Sequence, residues 1–192
     1  MAETHIQGHS PQLILPSGQV LTQSAAVIKY LLLTYDKDNH FHHHNMTAEQ
    51  QIRELYLLNL VGADLIRYLS TMLVFAGIEF QSPFFIRPLM GAVKRKLSSV
   101  WLDREIRNAI KVVEAELEER MWLMDTKEPS TPDFATMYAL ELGWKCGLFR
   151  LEEYPNVKAF YDRCKERDGW KKAIEKGNGF NLNWMEMWRY GK

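Results

Sequence analysis

The sequence predicts a mainly α-helical protein that carries one small β element near its amino end. Strand-type patterns occur only in residues 1–36, where two short apolar runs flank the turn signal "PSG" at positions 16–18. Beyond residue 47, apolar residues recur at the three- and four-residue spacing of amphipathic helices. Proline and glycine interrupt that spacing repeatedly, so we expect about five separate helices.

The β element is predicted to be a hairpin followed by a helix. The runs "QLIL" and "QVL" are joined by so short a connection that the two strands must pair antiparallel. The pattern changes at Thr22, after which one helix face is shared by Ala26, Val27, Tyr30 and Leu31.

The helical part opens with a capping box, because Thr47 is followed three residues later by Gln50. The first helix is expected to end near Gly77 and to bury Ile52, Leu55, Val61, Leu65, Leu69, Met72 and Ala76. Ser82 and Pro83 fit the N-cap and the first position of a second, long helix. Its core face is predicted to contain Val93, Leu97, Val100, Ile106, Ile110, Val113 and Leu117.

Further capping and helix-breaking residues predict the remaining helices. Ser130 and Asp133 form a cap ahead of "FATMYALELGW", and Pro155 is expected to open the next helix. The inward side chains of that helix are predicted to be Val157, Phe160, Tyr161 and Cys164. After Gly169, the run "WKKAIEK" predicts one more short helix before Gly177.

Composition and charge predict an ordinary soluble protein. The chain is 46% hydrophobic and 25% charged, and 24 Lys and Arg residues balance 24 Asp and Glu residues. Zero net charge predicts no field that would attract nucleic acid or an anionic membrane. The apolar runs fall short of a membrane span, and "MAETHIQGHS" lacks the features of a secretory signal. We therefore expect a cytoplasmic location, with no nucleic-acid partner and no membrane span.

Two features that often mark metal or redox sites are predicted to have no such role. The run "HFHHH" places His40, His42, His43 and His44 in a polar linker, whereas a metal site needs ligands that converge from fixed positions. No metal cofactor is therefore expected. Cys146 and Cys164 are too few for a disulfide framework, and we expect both to pack as small apolar side chains.

The start of the first helix is the candidate binding site. Gln23 and Ser24 in "TQSAA" lie where the backbone N–H groups of a helix are unpaired and its dipole is positive. Such an end binds a carboxylate without any charged side chain. The alternative interpretation is that Thr22 or Ser24 simply caps the helix, as Ser and Thr often do.

Three stretches resemble the glutathione S-transferase family, and the likeness is greatest to fungal members. "HIQGHSPQLILPSGQVLTQSAAVIKYLL" is similar to the second half of that family's glutathione-binding domain. "STPDFATMYAL" is similar to the capped core helix, and "YPNVKAFYDRCKERDGWKKAIEK" to the carboxyl-terminal segment. The resemblance implies a mainly α fold, with the all-helical C-terminal domain of these transferases preceded by a partial thioredoxin-like fragment.

The domain boundaries follow from the patterns and the resemblance together. Residues 1–36 are expected to form the partial thioredoxin-like, glutathione-binding part, and residues 37–47 a linker. Residues 48–177 are expected to form the all-helical domain. The aromatic tail 178–192, which includes Trp184 and Trp188, lies beyond the family pattern.

The resemblance also implies roles for individual residues. Gln23 and Ser24 would bind the γ-glutamyl carboxylate of glutathione. Pro11 matches the family's cis-proline, which lets the backbone of Ser10 pair with the cysteinyl part of the tripeptide. His9 stands where the family has a lysine that reaches the glycyl carboxylate, which predicts weaker anion binding at neutral pH.

A pocket for a second, electrophilic substrate is implied by the same resemblance. In the family this pocket lies between the two domains, and its predicted lining here is Tyr68, Phe84, Phe85, Arg87 and Trp144. Arg87 stands alone among apolar neighbours, so its charge is expected either to reach solvent or to meet an anion. Ser130 and Asp133 are implied to serve folding rather than catalysis.

No catalytic residue is assigned in these 192 residues. In the resembled family a first β-α-β unit supplies the Tyr, Ser or Cys that activates the glutathione thiol, and such a unit needs roughly 30 residues. Only ten residues precede Pro11. Two explanations remain open: a gene model that begins at an internal Met, and a truncated relative that is not catalytic.

Two functions follow from the resemblance. The first is an enzyme that conjugates glutathione, as co-substrate, to a small electrophile, or that acts in a glutathione-dependent step of fungal, including secondary, metabolism. The second is a truncated, non-catalytic binding or scaffold protein. A homodimer is a further expectation from the family.

Overall fold

The structure is a computed structural model that describes residues 6, 8, 10–41 and 45–177. The only strands among these residues are β1 (Leu13–Ile14) and β2 (Val20–Leu21), which pair antiparallel. Leu13 lies opposite Leu21 and Ile14 opposite Val20. The predicted hairpin is confirmed.

Helices make up most of the described chain, as the sequence predicts. The hairpin leads into α1 (Ser24–Tyr35), none of whose residues is fully buried. The other helices are α2 (Ala48–Asn59), α3 (Ile66–Gln81), α4 (Arg87–Leu97), α5 (Asp103–Glu116), α6 (Thr131–Lys145), α7 (Pro155–Glu166) and α8 (Asp168–Lys176). A π-helical segment, Leu60–Leu65, joins α2 to α3, and a second, Ser98–Leu102, joins α4 to α5.

The chain packs as two compact units. Of the described residues, the first unit contains those within 6–59 and 121–136, and the second contains those within 60–120 and 137–177. The domain boundaries expected from the sequence remain predictions.

The second unit has a continuous apolar core. Leu65, Leu69, Ile106, Ile110 and Phe160 are almost inaccessible to solvent in it. α3 packs against α4, and α5 packs against both the first π segment and α7. All four inward positions predicted for α7 are buried, which confirms that helix and its orientation.

One helical stretch is long and apolar enough, by length and composition alone, to cross a membrane. It runs from Ala48 to Gln81 and comprises α2, the first π segment and α3. The same stretch supplies Leu60, Val61 and Leu65 to the buried set. Length and composition alone do not distinguish a membrane span from a core helix of a soluble fold.

The capping box at the start of α2 is confirmed. The Thr47 N–H donates to Gln50 Oε1 at 2.9 Å, and the Gln50 N–H donates to Thr47 Oγ1 at 3.2 Å. The cap predicted at Ser82 and Pro83 is wrong, because Ser82 ends α3 and its hydroxyl donates to the Ile78 carbonyl at 2.7 Å. α4 begins at Arg87, after a turn.

The predicted core face of the long second helix is also partly wrong. Ile106, Ile110 and Val113 are buried, whereas Val93 and Val100 are 44% and 59% exposed. Val93 precedes the π segment Ser98–Leu102, Val100 lies within it, and the buried residues follow it. A π turn holds more residues than an α turn, so it rotates the face that follows it relative to the face that precedes it.

Two buried hydroxyl groups in α6 have no hydrogen-bond partner among the described residues. They belong to Thr131 and Thr136, whose side chains are inaccessible to solvent. A buried polar group left unpaired destabilises a fold by roughly 1–3 kcal/mol.

We therefore expect Thr136→Val, which replaces the hydroxyl with a methyl group of similar size, to raise the free energy of unfolding by about 1 kcal/mol. Chemical denaturation measures this change. The matched control is Thr71→Val in α3, where the hydroxyl donates to the Arg67 carbonyl at 2.8 Å and its loss should be slightly destabilising. Equal effects of the two substitutions would show that the Thr136 hydroxyl is satisfied.

Candidate functional site

The start of α1 has an unusual backbone. Gln23 occupies the N-cap position with φ 75° and ψ 115°, and no side chain makes a capping hydrogen bond there. A positive φ is rare for a residue other than glycine and is held only where the surrounding structure enforces it. Such strain concentrates at binding and catalytic sites. Gln23 and Ser24 are both exposed to solvent.

This helix start is suited to an anionic group. The amide N–H groups of the first turn have no acceptors within the helix, and the Val27 N–H is the first to bond back, to the Gln23 carbonyl at 3.0 Å. The first turn contains no acidic residue that would compete for these amides. The N-cap position is Gln23, whose side chain makes no capping hydrogen bond. The alternative in which Thr22 or Ser24 caps α1 stays a prediction.

A salt bridge connects α1 to α2 within the first unit. Lys29 Nζ lies 2.8 Å and 2.6 Å from the two carboxylate oxygens of Glu54, whose side chain is 12% exposed. A partly buried, bidentate contact is screened less by solvent than a surface pair. It therefore contributes to holding α1 beside α2.

The segment before the hairpin contains the other predicted glutathione contacts. The Ser10–Pro11 peptide bond is cis, in agreement with what the resemblance implies for Pro11. Ser10 and Pro11 are exposed. His9 lies outside the described residues.

The residues predicted to line the second-substrate pocket are distributed over three aromatic contacts in the second unit. Tyr68 packs edge-on against Trp101, with ring centroids 6.0 Å apart. Phe84 and Phe85 pack against each other in the turn before α4, and Trp144 packs against Tyr161 at 5.4 Å.

Arg87 binds neutral main-chain groups. Its guanidinium donates to the carbonyls of Phe80 and Ser82, at 3.0 Å and 3.3 Å. These carbonyls belong to the carboxyl end of α3, where a cation is favoured by the helix dipole. Arg87 is exposed to solvent, one of the two alternatives expected from the sequence, and the contacts with main-chain carbonyls are an addition to it.

An apolar groove that the sequence reasoning missed lies on α2, in the same unit as Gln23 and Ser24. Its volume is about 480 Å³, and it is lined by Ala48, Glu49, Ile52, Arg53 and Tyr56.

Solvent exposure shows why the groove was missed. Ile52 and Leu55 were assigned to the core by their spacing, but they are 65% and 56% exposed. Spacing shows that residues share a helix face and does not show whether that face is covered.

Asp133 is the centre of a buried hydrogen-bond cluster at the start of α6. Its Oδ2 accepts from the Ser130 N–H at 2.7 Å and from the Ser130 hydroxyl at 2.6 Å. Its Oδ1 accepts from the Leu123 N–H at 2.9 Å. Burial raises the pKa of the Asp133 carboxyl above its usual value, although the hydrogen bonds from Leu123 and Ser130 act in the opposite direction. The predicted cap contact between Ser130 and Asp133 is present.

Among the residues that the structure describes, no group of His, Cys, Asp and Glu is arranged to hold a metal ion. His40 follows the end of α1, and its backbone N–H donates to Asp36 Oδ1 at 2.9 Å. His42, His43 and His44 lie outside the described residues, as does the tail 178–192.

Comparison with known proteins gives the fold a name. Residues 80–168 match the family model described as the glutathione S-transferase C-terminal domain. A glutathione S-transferase from a sphingomonad, solved in complex with glutathione, aligns with a TM-score of 0.69 at 16% identity, over 92% of this chain and 78% of that one. This is a glutathione S-transferase fold.

Two fungal structures have the same transferase fold. A glutathione transferase from Phanerochaete chrysosporium in complex with oxidized glutathione aligns with a TM-score of 0.72 at 21% identity, over 91% of this chain and 76% of that one. A transferase homologue from Lodderomyces elongisporus, with two glutathione molecules per subunit, aligns with a TM-score of 0.69 at 17% identity. The alignment covers 91% of this chain and 78% of that one. No curated protein matches the sequence.

Proposed function

We propose that the protein binds glutathione at the start of α1 and conjugates it to a small electrophile. The observation that carries the proposal is the strained, uncapped helix start at Gln23. The Ser24 hydroxyl and the first-turn amides would hold the γ-glutamyl carboxylate, and the Gln23 amide would add a neutral hydrogen bond. The glutathione found in the sphingomonad and fungal structures of the same fold supports this choice of ligand.

The groove on α2 is the proposed site for the electrophile. It combines apolar side chains with a tyrosine and an arginine, which suits an apolar molecule that carries a polar substituent. The lining predicted from the sequence, Tyr68, Phe84, Phe85, Arg87 and Trp144, stays the alternative proposal for the same substrate.

The partner and location expected from the family are part of the same proposal. We include a homodimer and a cytoplasmic location in the proposal, as the resemblance to the family implies. A role in fungal metabolism rests on the resemblance to fungal members noted in the sequence.

Calorimetric titration with glutathione, followed by turnover of a generic aryl halide, tests the proposal. We expect the 192-residue chain to bind glutathione and to conjugate it slowly but above the uncatalysed rate, because no residue of this chain is assigned to stabilise the thiolate. Binding without any such turnover would favour the non-catalytic alternative. Rapid turnover would contradict the expected slow rate and would show that a hydroxyl or thiol of this chain does activate the sulfur. Absence of binding would contradict the proposal itself and would leave the non-catalytic scaffold as the better interpretation.

A further inference from the structure

The segment from Phe80 to Leu102 differs in charge from the chain as a whole. The chain is neutral, but this segment has no Asp or Glu and contains Arg87, Lys94 and Arg95–Lys96. The net charge that argued against an anionic partner therefore conceals a local basic region. The electrostatic potential of a local cluster of cations extends over about one Debye length, roughly 8–10 Å. It is therefore present even where the net charge of the whole chain is zero.

The same segment exposes large apolar side chains. Phe84 and Phe85, in the turn before α4, are 83% and 69% exposed, and Leu89 in the first turn of α4 is 61% exposed. The two phenyl rings contact each other edge-on, with centroids 5.5 Å apart. One turn further, Val93 continues the stripe and lines an apolar groove of about 490 Å³ with its neighbours on α4.

Most of the cations in this segment are not neutralised. Lys94 is paired with Glu79. Arg95 and Lys96 are exposed in the last turn of α4, and Arg87 donates only to uncharged carbonyls. Among the described residues, none of these three forms a direct ion pair with a carboxylate. The Arg95 guanidinium and the Glu79 carboxylate both lie beside Gly91, so Glu79 offsets part of the Arg95 charge.

We propose that this basic aromatic face, the Phe84–Phe85 turn together with the exposed side of α4, binds an anionic lipid surface. The phenyl rings and Leu89 would enter the boundary between head groups and acyl chains, where aromatic side chains are favoured. Arg95 and Lys96 would lie against the lipid anions. This is a peripheral contact made by a folded domain, and it does not depend on glutathione binding.

Charge favours a lipid surface over a second copy of the chain. Pairing α4 with α4 of another copy would bring like cations together, and the segment has no carboxylate to compensate them. An anionic bilayer complements both properties of the face, its positive charge and its exposed aromatic rings.

Co-sedimentation with lipid vesicles tests the proposal. We expect the full chain to bind vesicles of phosphatidylcholine containing about one-third phosphatidylserine, and to bind pure phosphatidylcholine much more weakly. Added salt should weaken the binding. Removing one cation should lower the affinity about fivefold, so Arg95→Glu with Lys96→Glu should lower it by roughly 25-fold or more. Phe84→Ser with Phe85→Ser should lower it at least about tenfold.

Matched variants on other helices control for total charge and for general hydrophobicity. Lys171→Glu with Lys172→Glu changes the net charge by the same amount on α8, where both residues are exposed. Ile52→Ser with Leu55→Ser removes exposed apolar side chains from α2. Neither control should change vesicle binding.

Sedimentation velocity without lipid tests whether a second copy of the chain binds this face instead of a lipid surface. A wild-type dimer that the Phe84→Ser, Phe85→Ser variant converts to a monomer would identify the face as a protein interface and overturn the proposal. Equal binding to neutral and anionic vesicles, or no binding to either, would also overturn it.

Discussion

Replacing Ser24 with alanine is expected to lower the affinity for glutathione by roughly 10- to 100-fold. The substitution removes the hydroxyl at the first position of α1 and leaves the backbone amides and the helix dipole in place. A hydrogen bond to a charged group contributes about 1.5–3 kcal/mol, which corresponds to that range of affinity. Calorimetric titration with glutathione gives the measurement.

Controls on the same helix and in the linker make this result specific. Thr34→Ala changes an exposed hydroxyl in the last turns of α1, away from the helix start, and should not alter binding. Gln23→Ala should weaken binding less than Ser24→Ala, because water can partly replace a neutral amide. Replacing His40 and His42–His44 together should have no effect. If Ser24→Ala binds as tightly as the wild type, the carboxylate does not lie at this helix start.

Replacing Asp133 with alanine is expected to lower the free energy of unfolding by about 3 kcal/mol. The carboxylate accepts three hydrogen bonds, two of them from the backbone amides of Leu123 and Ser130, which are 1% and 6% exposed. Without it these buried donors lose their acceptor, and each unpaired group costs about 1–3 kcal/mol. Thermal and chemical denaturation measure the effect.

The control for this substitution is Asp168→Ala. Asp168 lies in the first turn of α8 and is exposed, so its removal weakens only a favourable contact with the helix dipole, by about 0.5 kcal/mol. Similar effects of the two substitutions would contradict the buried role of Asp133.

The pH dependence of stability provides an independent readout at Asp133. Its pKa in the folded protein is raised above the reference value of 3.8 by burial, so the folded state holds this proton more tightly than the unfolded state does. The free energy of unfolding should therefore fall, relative to Asp133→Asn, as the pH rises from about 3.8 to the raised pKa. Above the raised pKa, the free energy of unfolding relative to Asp133→Asn should stay constant. A relative stability that rises over this interval would show that the hydrogen bonds outweigh burial.

The sequence by itself determined the elements that depend on neighbouring residues. The hairpin, the capping box of Thr47 and Gln50, the cap contact of Ser130 with Asp133, and α7 with its buried face are all present. Each of these depends on interactions over a few positions, which the order of residues specifies directly. The carboxylate site at Gln23 and Ser24 was also predicted from such a local feature, a helix start.

Only the tertiary structure decided which helix faces are covered and where long helices change register. Ile52 and Leu55 have core spacing but face solvent. Val93 and Val100 are exposed because the π segment that contains Val100 rotates the helix face ahead of Ile106. Residue spacing also predicts neither the positive φ of Gln23 nor the hydrogen bonds from Arg87 to main-chain carbonyls. Burial depends on what the rest of the chain places against a surface, and that information is distributed over residues far apart in sequence.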